Sequence, residues 1–262
     1  MSSVAQLKRS CEQCALSCFC LARDLLGSER TRFASVVKRR RMIERGDKLF
    51  IAGDRFYALY ILHSGSTKSY LISECGEQQV TGFHMPGELI GIDGLASHTH
   101  AYYVEMLETS SVCELPMPEL DRMIATSWAL RHRFLSQISR ALIDEQQMLL
   151  TLGKLNAEQR LAQFLLNMAR RHATLGGSAT EFNLSMSRYD IASYLGLVVE
   201  TVSRMIRRFQ EEGAIEVRRR WVHIVNPAGL TSRLAHVTDK KRAAAAAQAA
   251  ARKKTGNIKQ LG

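Results

Sequence analysis

Residues 188–207 read Arg188-Tyr-Asp-Ile-Ala-Ser-Tyr-Leu-Gly-Leu-Val-Val-Glu-Thr-Val-Ser-Arg-Met-Ile-Arg207, and their spacing sets the architecture of the C-terminal third. Small Ala192 lets two helices approach, Gly196 permits a tight turn, and Ile191, Leu195, Leu197, Val202 and Met205 are placed to bury. The pattern predicts one helix over about 189–195 and a second over about 199–211. On the second, Glu200, Ser203, Arg204 and Arg207 share one side. Beyond Gly213, residues 215–225 read as a hairpin with Arg218, Arg219 and Arg220 at its tip. A wing of arginines beside a polar helix face suits phosphate contact, for which Arg207 and the three wing arginines are the candidates. Arg204 can donate bidentately to guanine O6 and N7, Glu200 can accept from a base amino group, and Ser203 can do either. The stretch therefore reads as a winged helix-turn-helix.

Upstream, Asn156 has Gln159 three residues on, a variant of the capping box, and Leu161, Phe164, Leu165 and Met168 follow on one face. Before this helix, Pro118 opens a helical region running to about Leu155. Within it Leu135, Ile138, Leu142, Glu145, Leu149 and Leu152 step by alternating threes and fours, which is a heptad seam. A seam on one long helix with no partner in its own domain predicts a homodimer. Glu145 stands where an apolar residue is expected. It is either an edge position whose carboxylate reaches water or a built-in penalty that opposes pairing until something offsets it.

From about 42 to 118 the texture is different. Short alternating apolar stretches are divided by Gly46-Asp47, Gly53-Asp54, Ser64-Gly65, Cys75-Gly76, Pro86-Gly87 and Asp93-Gly94, the pattern of an antiparallel sandwich or jelly-roll barrel. The basic run Lys38–Arg41 just before it reads as a solvated linker or strand edge.

Four of the six cysteines, Cys11, Cys14, Cys18 and Cys20, lie within ten residues. In a reducing cytosol such clustering points to a metal or redox site rather than to disulfides. The spacing alone allows both C-x2-C-x5-C and C-x2-C-x3-C, and four thiols suit zinc as well as iron–sulfur. No apolar run approaches the roughly 20 residues needed to span a bilayer, and no signal-peptide core follows the polar N-terminus, so a cytoplasmic protein is expected. His63, His84, His98 and His100 are scattered, with no nucleophile–base pair or phosphate loop, which argues against an enzyme. The formal net charge of +11 points to a polyanionic partner, but the tail from Asp239 carries seven Lys and Arg against one Asp and supplies more than half of it.

Sandwich, long helix and winged helix, in that order, resemble the Crp–Fnr superfamily of bacterial transcription regulators over about residues 11–228. Thr81-Gly-Phe-His84, Glu108-Thr-Ser-Ser-Val-Cys113-Glu-Leu-Pro116, Asn156-Ala-Glu-Gln-Arg-Leu-Ala162 and Gly196–Arg204 resemble its fumarate and nitrate reduction regulator (Fnr) branch. The resemblance implies an oxygen-labile [4Fe–4S] cluster on Cys11, Cys14, Cys20 and the distant Cys113, with Cys18 a possible substitute and Cys75 a spare thiol. It also implies reading of TTGAT-type palindromes by Glu200, Ser203 and Arg204, and a hairpin around Cys75 offered to RNA polymerase. Cyclic-nucleotide members of the superfamily hold the phosphate with an Arg-Ser or Arg-Thr pair and a Glu. Here those positions align near His100-Ala101 and at Ile92, so no cyclic nucleotide is expected.

The expectation is an α+β protein with a cysteine-rich segment (1–24), a β jelly-roll sensor domain of the cyclic-nucleotide-binding type (25–118), a dimerisation helix region (119–155), a winged helix-turn-helix (156–230) and a basic low-complexity tail (231–262). It would be an anaerobic transcription regulator, an activator in character, that is a homodimer when cluster-loaded. The alternative is a Crp-like regulator with a structural zinc site or a small-molecule effector in the β-roll.

Overall fold

The computed structural model describes residue 11, residues 14 and 16, and residues 19–234; Cys18 and all of the basic tail beyond residue 234 lie outside the described residues. The side chains of Arg39, Arg40 and Arg41 are likewise outside the description. Two compact units form: residues up to 149 together with 185–196, and residues 150–184 together with 197 onward. The division falls inside the helix-turn-helix, between Gly196 and Leu197.

In the first unit a 3₁₀ turn (Leu21–Asp24) and α1 (Gly27–Val36) precede eight strands. These are β1 (Lys38–Ile43), β2 (Lys48–Phe50), β3 (Ala58–Ser64), β4 (Thr67–Ile72), β5 (Gln78–His84), β6 (Leu89–Ile90), β7 (Tyr103–Met106) and β8 (Ser110–Pro116), with the short α2 (Gly94–Ser97) after β6. They form two antiparallel four-stranded sheets, ordered β1-β8-β3-β6 and β2-β7-β4-β5. Ile43, Leu62, Ile90 and Val112 of the first sheet meet Phe50, Val104 and Met106 of the second in one buried cluster. Because strand side chains alternate, the neighbouring residues Leu59, Ile61, Cys113 and Leu115 point to the other face of the first sheet. That face is covered by Leu21, Leu25, Phe33 of α1, Leu120 and Met123 of α3 (Met117–Thr126), and Leu130 and Phe134 of α4 (Trp128–Lys154).

The basic run is β1, an edge strand paired to β8, with Lys38 Nζ 3.0 Å from Glu114 Oε1. α3 and α4 break at Ser127, whose hydroxyl accepts from Leu130 N–H. All six seam residues lie on α4. Leu135, Leu142 and Leu149 are 58%, 55% and 70% exposed, Ile138 and Leu152 are half-buried, and Glu145 is exposed. The same unit includes α6 (Arg188–Leu195), capped by a reciprocal Ser187–Asp190 box.

In the second unit α5 (Ala157–Thr174) starts with the Asn156–Gln159 box in full, and Leu161, Phe164, Leu165 and Met168 are all buried. Arg160 donates to the carbonyls of Leu152 and Leu155, satisfying acceptors at the end of α4. β9 (Glu181–Asn183), β10 (Ile215–Arg218) and β11 (Trp221–Ile224) form an antiparallel sheet ordered β10-β11-β9. α7 (Val199–Glu211) packs on α5 and β10, and residues 227–234 are helical.

Candidate nucleic-acid interface and cysteine site

The face expected to meet nucleic acid is built by α7 and the β10–β11 wing. On α7, Val202, Ile206 and Phe209 are buried, which leaves Glu200, Ser203, Arg204 and Arg207 exposed together on the opposite side. Met205 and Leu197, both expected to bury, are only half-buried, and Ile206 and Phe209 take the core positions instead. Gly196 has φ +60°, a left-handed conformation that glycine adopts without steric cost, and it ends α6 three residues before α7 begins. Thr201 Oγ1 lies 3.5 Å from Arg204 Nη2, steadying that side chain without withdrawing its charge.

Arg208 has a different role from its neighbour Arg207. It donates to Glu212 at 2.8 Å and to Glu158 of α5 at 3.2 Å. Arg233 pairs with both carboxylates from the other side and lies 4.8 Å above the Phe209 ring. Hydrogen bonds from Arg208 and Arg233 hold the Glu212 carboxyl below the usual range. This four-residue network fastens the C-terminal half of α7 to the start of α5. The sequence reading missed it; the only local signal was the Arg208–Glu212 spacing of one helical turn.

The wing turn is Arg219-Arg220, with Arg218 opposite Trp221. Arg219 has φ +57°, as tight hairpin turns require, and all three arginines are exposed. Arg218 stacks 5.7 Å over the Trp221 ring and lies 3.8 Å from Glu216, whereas Arg219 and Arg220 project from the tip.

Three cysteines converge on the outer face of the first sheet. Cys11, Cys20 and Cys113 all pack against the cluster of Leu21, Leu25, Leu59, Ile61, Leu115 and Leu130. Cys113 sits on β8 opposite Ile61 of β3. Burial raises the Cys20 thiol pKa, and the nearby Cys14 and Cys11 raise it further, so the three N-terminal thiols are within electrostatic reach of one another. Arg133 of α4 donates to the Phe19 carbonyl at 3.0 Å, and Arg30 of α1 to the Cys11 carbonyl at 3.3 Å. Both arginines keep a buried Nε without a partner among the described residues. Phe19 rests on the Gly87 turn, where an added Cβ would come within 2.9 Å of its own. Among the described residues no group of three or more His, Cys, Asp or Glu is arranged to hold a metal ion. Cys75 is exposed in the turn after β4, next to the exposed Leu71 and Ile72.

At the positions that the resemblance aligns with the phosphate pair of cyclic-nucleotide regulators, His100 is buried, stacked 3.5 Å from Phe50, with Nδ1 3.4 Å from Asp93. Burial acts to raise the Asp93 pKa, but hydrogen bonds from His100, Ala101 N–H and Tyr102 outweigh it and the carboxyl titrates low.

A Crp-like helix-turn-helix domain matches residues 159–233, and a cyclic nucleotide-binding domain matches residues 40–127. The chain is 41% identical over 216 residues to Electron transport regulator A of Shewanella oneidensis, covering 82% of this chain and 86% of that protein. It is 40% identical over 226 residues to the Fumarate and nitrate reduction regulatory protein of Escherichia coli, covering 86% and 90%. Among solved structures, FixK2 from Bradyrhizobium japonicum superposes with a TM-score of 0.69 at 25% identity, over 75% of this chain and 96% of that one. No helix among the described residues is long and apolar enough to cross a membrane. The chain therefore belongs to the Crp–Fnr family of DNA-binding transcription regulators, on its fumarate and nitrate reduction regulator branch, and is not an enzyme.

Proposed function

We propose that this regulator responds to oxygen through a [4Fe–4S] cluster held by Cys11, Cys14, Cys20 and Cys113, and that the loaded form is a dimer that binds TTGAT-type palindromes under anaerobic conditions. The observation that carries the reading is the shared apolar cluster. Three of the four thiols rest on the same core as Leu130 and Phe134, the first turns of the helix that bears the seam. The donor set suits the group: four thiolates are its normal complement, and Arg30 and Arg133, which donate to the Cys11 and Phe19 carbonyls, bring positive charge that offsets the thiolates. When bound, such a cluster supplies an oxygen-labile link between the N-terminal segment and β8.

The chain's own residues do the rest. Arg133 and Arg30 tie the cysteine segment to α4 and α1, so ordering that segment bears directly on the start of the dimer helix. Leu135, Leu142 and Leu149 then meet their counterparts despite Glu145, and each protomer presents Glu200, Ser203 and Arg204 to one half-site while Arg207 and the wing hold phosphates. The names of relatives, an anaerobic regulatory protein among them, support the anaerobic sense of the switch. The low-titrating Asp93 beside His100 opposes a phosphate there, which supports a regulator that uses no cyclic nucleotide. The exposed turn around Cys75, with Leu71 and Ile72, is the surface offered to RNA polymerase.

The test is anaerobic purification with iron and sulfide quantified alongside the visible spectrum. About four irons and four sulfides per chain with a brown chromophore are expected, and both should be lost in Cys113→Ala. A colourless zinc protein would overturn the proposal, and full iron retention in Cys113→Ala would remove that residue from the ligand set.

A further inference from the structure

α6 is the first helix of the helix-turn-helix, yet it packs with the β-roll sheet. Lys68 on β4 is 7% exposed, an unusual position for a lysine. Its Nζ lies 2.8 Å from Asp190 Oδ1 and 3.3 Å from Glu105 Oε1, with the Asp190 side chain 7% exposed. Asp190 is committed twice, since its other oxygen accepts from both the backbone N–H and the hydroxyl of Ser187 at the start of α6. A charge buried this deeply is tolerated only with its partners in place, so sheet and helix are mutually dependent.

A second set of contacts acts on the sheet edge. β5 is an edge strand, and an uncovered edge leaves backbone groups open to any passing strand. The Ser193 hydroxyl accepts from Val80 N–H at 2.8 Å and donates to the Gln78 carbonyl at 2.9 Å, filling the place of a neighbouring strand. Gln79 Nε2 donates to the Ser193 carbonyl, Ser66 Oγ lies 2.6 Å from Ser185 Oγ, and the rings of Phe83 and Tyr194 are 5.1 Å apart.

We infer that the β4–β5 edge is a docking surface for the first helix of the helix-turn-helix, with Lys68 as the positioning residue that fixes that helix for DNA binding. A palindrome must be met by two recognition helices at a set separation. Each α7 follows its α6 after only Gly196, Leu197 and Val198. Fixing α6 to the sheet orders the start of the helix-turn-helix before DNA arrives and removes an ordering cost from binding. The inference rests on the proposed DNA reading by α7 and on the proposed dimer.

The experiment measures anaerobic binding of the full chain to a duplex with two TTGAT half-sites and to a duplex with one. Lys68→Met leaves Asp190 and Glu105 without their shared cation, so it is compared with Lys68→Met/Asp190→Asn, which removes the Asp190 charge yet keeps an oxygen to cap α6. Both variants are expected to lose at least about tenfold in affinity for the palindrome while the single half-site is bound as by wild type. Faster amide exchange should be confined to α6 and β5, and Ser193→Ala should show a smaller loss in the same sense. Equal or tighter palindrome binding by the double variant overturns the inference, and so does a matching loss on the single half-site. Failure of the wild-type protein to bind the palindrome would instead remove the TTGAT reading.

Discussion

α4 and α7 are both amphipathic, and they use the property in opposite ways. α7 buries Val202, Ile206 and Phe209 within its own unit and turns Glu200, Ser203, Arg204 and Arg207 outward. α4 buries only Leu130 and Phe134 near its start and leaves Leu135, Leu142, Ile143, Leu149 and Leu150 exposed along the rest. A stripe of large apolar residues on a protein surface marks an interface. Periodicity announces that a helix face will be covered; it does not say by what.

The sharpest way to break this contrast is at Phe209, which is fully buried beneath Arg233. Phe209→Ala should cost about 3–5 kcal/mol of stability in urea titrations followed by circular dichroism. A cost near zero would mean that the α7 face is not core. Glu145→Ala addresses the other helix. If its carboxylate opposes pairing, the variant should shift toward dimer by about 1–4 kcal/mol and bind DNA in air, as read by sedimentation equilibrium and gel shift. A variant that stays monomeric aerobically would assign Glu145 to solvent. Arg204→Ala should weaken palindrome binding by about 1–3 kcal/mol per half-site and relax preference at one base pair of each half-site without affecting the fold. Uniform weakening across sequences would reassign it to phosphate. Leu149→Ala should be the mildest test, changing monomer stability by no more than about 0.5 kcal/mol because its side chain is 70% exposed, while still lowering dimer affinity. A large loss of monomer stability would place that residue in an intramolecular core.

Turn and cap chemistry is local and therefore legible in the sequence. The Asn156–Gln159 box, the Gly196 turn, the arginine wing and the glycine-divided strands all stand where the residues predict, because each is decided within a few positions of the chain. Partners distant in the chain leave no such local mark. Lys68 and Asp190 are 122 residues apart, and nothing in either neighbourhood marks a buried ion pair. Arg207 and Arg208 are adjacent and identical in type, yet one faces solvent and the other is held by Glu158, 50 residues away. The convergence of Cys11, Cys20 and Cys113 on one core became legible through family resemblance, since spacing cannot bring a strand residue to an N-terminal run.

By itself, then, the sequence determined the elements, the polar face of α7, the seam with its misfit carboxylate and the thiol inventory. Each follows from backbone sterics, helical or strand periodicity and the chemistry of single side chains. Only the tertiary structure decided that the first helix of the helix-turn-helix packs with the β-roll, that Lys68 is buried between carboxylates, and that Arg208 is held away from the recognition face. Those outcomes depend on which distant groups share a desolvated environment, where an unpaired charge is costly and a paired one fixes geometry.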